Sequence, residues 1–154
     1  MESTETNVIK HFTDLRVWQK AHDLFVSINR MTERTARDVA STVVIEQLLK
    51  SSGHISANIA EGFNSRGRKK YIHYLDIAQC SAAETENWLY KVVDCVLLEK
   101  SEVQPWLEAS IAIQKMLNSM ITKLEKRAEA KPQPVVSSPS LPHMPFKNRH
   151  MFRD

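Results

Sequence analysis

Six histidines and two cysteines are scattered through a chain that also carries eighteen carboxylates, so metal-centred and nucleophilic chemistry are the first possibilities to weigh. A di-metal centre in a helical protein needs Glu-x-x-His pairs facing inward. His22, His54 and His73 are each preceded three residues earlier by Gln19, Ser51 and Lys70, none of them a carboxylate. There is no HExxH, no GxSxG and no glycine-rich phosphate loop. Cys80 stands beside Ser81 with no histidine nearby in sequence to activate it. These gaps predict a non-enzyme with no cofactor and no bound metal. Cys80 and Cys95 alone make neither a disulfide framework nor a zinc site, and read as small buried hydrophobes in a reducing compartment. Glu84 and Glu86 read as exposed carboxylates in weak surface pairs.

The one concentrated chemical signal is basic. Arg66-Gly67-Arg68-Lys69-Lys70 is a run of cations that suits phosphate, and Arg68 to Lys70 should open a helix whose free amides and dipole are already positive. A net charge of +3 is too small to argue for a nucleic-acid partner on its own. What matters is where folding places the charges.

Apolar spacing supplies the frame. Val17, Ala21, Leu24, Ile28 and Met31 recur at alternating four- and three-residue steps, the stripe of an amphipathic helix. Thr13 and Asp14 are placed to cap its start, with Phe12 stapled onto Val17. A second helix is expected from near Thr35, with Asp38 in its capping box and a stripe of Val44, Leu48, Ser52, Ile55 and Ile59. Gly62 and Asn64 tolerate the left-handed conformation that ends helices, so they mark its end. Tyr71, Leu75, Ala78, Ala82, Thr85, Leu89, Val92 and Val96 form the seam of a third helix packed at a shallow angle. A fourth follows Ser101, with Pro105 in its first turn and a stripe of Trp106, Ser110, Ile113, Leu117, Met120 and Leu124. No alternating strand pattern and no membrane span are present.

The expected fold is therefore all-α, an antiparallel up-down-up-down four-helix bundle over residues 12–127. A polar leader, 1–11, precedes it, and a proline-rich, basic, disordered tail, 128–154, follows. That topology gathers Lys10, Arg66, Arg68, Lys69, Lys70, Lys123, Lys126 and Arg127 at one pole, against Asp14, Glu61 and Glu125. The other pole balances Arg30, Arg34, Arg37 and Lys100 against Glu33, Asp38, Glu99 and Glu102. The candidate nucleic-acid-binding residues are Arg66, Arg68, Lys69, Lys70, Lys123, Lys126 and Arg127. Glu61 is expected to pair with Arg66 and fix the turn between helices two and three.

Three ordered motifs carry a family resemblance: Phe12-Thr-Asp-Leu-Arg-Val-Trp-Gln-Lys-Ala21, Ile55-Ser-Ala-Asn-Ile-Ala-Glu-Gly62, and Tyr71-Ile-His-Tyr-Leu-Asp-Ile-Ala78 followed by Ser81 and Glu84. Over residues 10–127 the chain resembles the four-helix-bundle proteins encoded in intervening sequences of bacterial large-subunit ribosomal RNA genes. That family is similar to the accessory variability proteins of diversity-generating retroelements. The resemblance implies a homopentameric protein with a basic surface that binds RNA or an RNA/DNA hybrid, while the reducing compartment read from the cysteines makes a cytoplasmic location the expectation. It further implies either assistance to a reverse transcriptase or binding to structured ribosomal RNA; a protein-interaction adaptor is the competing class. The matching motif positions are Asp14, Leu15, Trp18, Gln19, Asn58, Glu61, Gly62, Ser81 and Glu84, to which the resemblance assigns structural and subunit-contact roles. Cys80 replaces a glycine of the family pattern, and the proline-rich tail is additional to it.

Overall fold

A computed structural model describes residues 8–35 and 38–130. After a short 3-10 turn, Phe12–Asp14, the chain forms α1 (Arg16–Thr32), α2 (Val39–Asn64), α3 (Arg68–Asp94) and α4 (Lys100–Glu129). Each helix packs on its chain neighbours, α1 closes the ring against α4, and the backbones of the diagonal pairs stay apart among the described residues. This is the four-helix bundle that the apolar stripes predict. Among the described residues there is no strand, and no helix is long and apolar enough to cross a membrane. The leader up to Asn7, Arg37 and all but the first three residues of the expected tail lie outside the described residues.

The core is built from the stripes. Val17, Ala21, Leu24 and Ile28 of α1 face Leu48, Ile55 and Ile59 of α2, Leu75, Ala78, Ala82, Leu89 and Val92 of α3, and Ile113 and Leu117 of α4, all nearly or wholly buried. Ile45, not Val44, completes the α2 stripe, with Val44 packed at its edge. At mid-height the layer is small and polar. Ser110 donates from α4 to the Ala82 carbonyl of α3 at 2.8 Å, and the Thr85 and Ser51 hydroxyls lie 3.1 Å apart across the α2–α3 seam. Such buried hydroxyls are tolerable because each has a partner.

Several expected details are corrected. The bundle entry is a separate 3-10 turn: the Asp14 carboxylate accepts the Lys10 and His11 amides at 2.9 Å, so Asp14 caps that turn rather than opening α1. These backbone donors hold the Asp14 carboxyl below its ordinary range. Phe12 leans on the Trp18 ring at 5.4 Å between centroids. Helix α2 starts at Val39, not near Thr35, because Asp38 is its N-cap and accepts from the Ser41 amide and hydroxyl at 2.9 and 2.6 Å. The Ser41 bonds likewise lower the Asp38 carboxyl. Pro105 falls in the second turn of α4, which begins at Lys100, with its ring exposed.

Cys80 and Cys95 are exposed, not buried. Cys80 lies off the Ala78–Ala82 stripe, and Cys95 caps the end of α3.

Val96 does not extend the α3 seam. It is 82% exposed and adopts φ 57, a left-handed conformation costly for a β-branched residue. Its amide bonds the Val93 carbonyl at 2.9 Å and the Leu97 amide bonds that of Val92 at 3.0 Å, the paired closure that usually has glycine in this position. Val96→Gly should therefore raise stability by about 1 kcal/mol, the released strain outweighing glycine's backbone entropy. A urea midpoint that falls would show that Val96 makes packing contacts worth more than the strain.

Candidate nucleic-acid interface

Helix α2 ends at Asn64, and Ser65 leaves it in an extended conformation, φ −74 and ψ 154. The Ser65 amide and hydroxyl both donate to the Gly62 carbonyl, at 3.1 and 2.7 Å. Gly67 then turns the chain with φ 87, a conformation that favours glycine, and caps α3 with no side-chain partner. The first bonded amide of α3 is that of Tyr71, which reaches the Gly67 carbonyl at 3.2 Å. The amides of Arg68, Lys69 and Lys70 precede it, at the positive end of the helix dipole. No acidic residue stands in that turn to offset them.

Arg66, Lys69 and Lys70 are exposed and Arg68 is half-buried. The up-down-up-down path brings the last two turns of α4 to the same pole, where Lys123, Lys126 and Arg127 are also exposed. Lys123 borders a groove of about 390 Å³ between α1 and α4, floored by Leu15, Met116 and Met120 and shared with Arg16 and Lys115. Among the described residues, one ion pair is formed, Arg34 to Glu102 at 3.5 Å, and it lies at the opposite pole. Among the described residues, the cations of the basic pole therefore form no ion pair.

The expected Glu61–Arg66 pair is absent among the described residues. The extended step at Ser65 carries Arg66 out of the last turn of α2, away from Glu61. Glu61 instead borders a shallow pocket of about 360 Å³ with Asn64, Ser65, Lys70 and Tyr74.

The remaining motif residues divide by role. Gln19 ties the 3-10 turn down by donating to the Thr13 carbonyl at 2.8 Å, Leu15 packs at the edge of the core, and the Trp18 ring stacks on His22 at 4.8 Å. Asn58 donates to the His54 carbonyl at 2.7 Å and Ser81 to that of Ile77 at 3.0 Å, both within their own helices. Glu84 is exposed and accepts from the Trp88 indole at 3.4 Å, while Glu86 takes the Gln114 amide at 2.7 Å across α3 and α4. Gly62 is buried inside α2 rather than ending it; a Cβ there would stand 2.9 Å from the Tyr74 Cβ and 3.0 Å from the Tyr71 ring. That close approach half-buries Tyr71, and the burial raises its phenol above the usual range.

Sequence reasoning passed over Asn64 and Tyr74 as site residues, and did not count Arg16 and Lys115 among the cations. Tyr74 was discoverable: it lies one helical turn beyond Lys70, and therefore on the same face.

A family model described as the 23S rRNA-intervening sequence protein matches residues 13–119. Among solved structures, a protein of unknown function from the S23 ribosomal protein family of Bacteroides thetaiotaomicron is similar, with a TM-score of 0.64 and 28% sequence identity. The likeness covers 68% of this chain and 97% of that one. No curated protein matches the sequence.

Proposed function

The chain belongs to the 23S rRNA-intervening sequence protein family, and from that footing we propose that it is a non-catalytic RNA-binding protein whose basic pole holds the phosphates of structured RNA. The observation that carries this reading is the pole itself. Arg66, Arg68, Lys69, Lys70, Lys123, Lys126 and Arg127 converge there without a carboxylate partner among the described residues, beside the free amides of α3. Such an arrangement suits recognition of backbone and shape more than base reading along a duplex. The family's name links the chain to 23S ribosomal RNA, which makes ribosomal RNA the favoured source of the ligand. Assistance to a reverse transcriptase of a diversity-generating retroelement would use the same surface. Neighbouring genes separate the two settings: a ribosomal RNA operon for one, a reverse transcriptase with a template repeat for the other. A ring of subunits, five in the arrangement the resemblance implies, would multiply the patch, and light scattering on the purified protein measures that number.

The test is RNA binding by the full chain at several salt concentrations. Binding at low salt that weakens steeply as salt rises is expected, because each neutralised phosphate releases condensed counterions. Absence of affinity for a structured ribosomal RNA fragment at low salt would overturn the reading and favour an adaptor that docks an acidic protein.

A further inference from the structure

Glu61 is an anomaly on a surface suited to phosphate. It is an exposed carboxylate on the last turn of α2, with no ion-pair partner among the described residues, at the edge of the most basic part of the molecule. A carboxylate there repels RNA unless it meets a hydrogen-bond donor that the RNA supplies.

Its surroundings narrow down that donor. The pocket of about 360 Å³ has Glu61 and Asn64 on one side and Lys70 and Tyr74 on the other. One N–H of the Asn64 amide donates to the Ala60 carbonyl at 3.1 Å, which fixes the amide and leaves its oxygen, an acceptor, and a single N–H for the pocket. Gly62 lets Tyr74 settle against α2, which keeps the half-exposed ring beside Glu61. The pocket therefore combines a carboxylate, a second acceptor, an aromatic ring for stacking and one ammonium for a phosphate.

An unpaired base satisfies this set. Aromatic rings stack on any base, but two adjacent acceptors select among them. Guanine alone presents two neighbouring donors on its Watson–Crick edge, N1–H and the 2-amino group. Adenine and cytosine each set one amino group beside an acceptor, and uracil flanks its single N–H with carbonyls. We propose that the Glu61–Asn64–Lys70–Tyr74 pocket seats an unpaired guanine, with the Glu61 carboxylate accepting from N1–H and the 2-amino group while Lys70 meets a phosphate of the same strand. This rests on the RNA-binding reading and adds to it a preferred element: structured RNA carrying an exposed guanosine in a loop or bulge.

The probe is a hairpin RNA with an all-uridine loop into which one guanosine, inosine or adenosine is placed, titrated against the full chain. The native protein should prefer the guanosine loop to the adenosine loop by roughly tenfold, as a bidentate base contact does. Inosine, which lacks the 2-amino group, should fall between them. Glu61→Gln should lose most of the preference by weakening on the guanosine loop, while its affinity for the adenosine loop stays level or rises with the loss of a negative charge. Because Glu61 is exposed, thermal melting of the variant should match that of the native protein. If Glu61→Gln instead strengthens all three hairpins alike and any preference survives, the carboxylate only repels and the inference falls. Equal binding of all three loops by the native protein also overturns it, leaving the phosphate-binding reading intact. Failure of every hairpin to bind would overturn the RNA reading itself, and this inference with it.

Discussion

Changing Arg66, Arg68, Lys69 and Lys70 together to serine should lower affinity for structured RNA by roughly a thousandfold at 0.1 M salt, and flatten the salt dependence by about three units of slope. Each cation that neutralises a phosphate contributes about 0.7 to 0.9 to that slope, and all four side chains lie on one turn. The same change should not weaken the fold. Arg68, Lys69 and Lys70 occupy the positive end of α3, where each cation is unfavourable by a few tenths of a kcal/mol. None of the four takes part in an ion pair among the described residues. A thermal midpoint equal to or above that of the native protein is therefore expected alongside the lost affinity, and unfolding is removed as an explanation. If affinity and salt slope both stay at their native values, the α2–α3 turn is not the RNA surface, and Lys123, Lys126 and Arg127 become the residues to change next.

How much of this was legible in the sequence depends on which energy dominated at each position. The four stripes were readable because burial of apolar side chains at helical spacing outweighs everything local: Leu75, Leu89 and Leu117 sit where the period puts them, fully buried. The basic pole was readable because it needs only topology and a count of charge. Positions decided by one residue's partner were not. Charge and proximity pair Glu61 with Arg66 five residues on, yet one extended residue at Ser65 separates them. Residue type makes Cys80 a core candidate, but it stands off the α3 stripe. Val96 continues the heptad in sequence after the helix has stopped, since the carbonyls of Val92 and Val93 are already closed by the Leu97 and Val96 amides. The pocket at Glu61 depends on how closely α2 and α3 approach, a distance that no single-chain pattern encodes.

Gly62 holds that approach, and Gly62→Val should destabilise the protein by about 3 kcal/mol. Replacing a glycine inside a helix normally stabilises, by about 1 kcal/mol for alanine. Here a new Cβ would meet the Tyr74 Cβ at 2.9 Å and the Tyr71 ring at 3.0 Å. The Tyr74 Cβ is fixed by the α3 backbone and cannot swing aside, so α2 and α3 must separate at the basic end, loosening the Ile59 and Leu75 layer beneath. Gly53→Ala, on the same helix but facing α1 rather than α3, is the control. Its Cβ would sit 3.4 Å from the Phe25 ring, an ordinary contact, so helix propensity should prevail and the urea midpoint should rise. Gly62→Asn then separates packing from helix termination. Asparagine accepts the left-handed conformation almost as glycine does, and would be tolerated if Gly62 ended the helix. Packing demands the opposite: the introduced asparagine brings the same Cβ into the same 2.9 Å approach, and the variant should unfold at a urea concentration well below that of the native chain. A native-like midpoint for Gly62→Asn would mean that the two helices do not approach this closely.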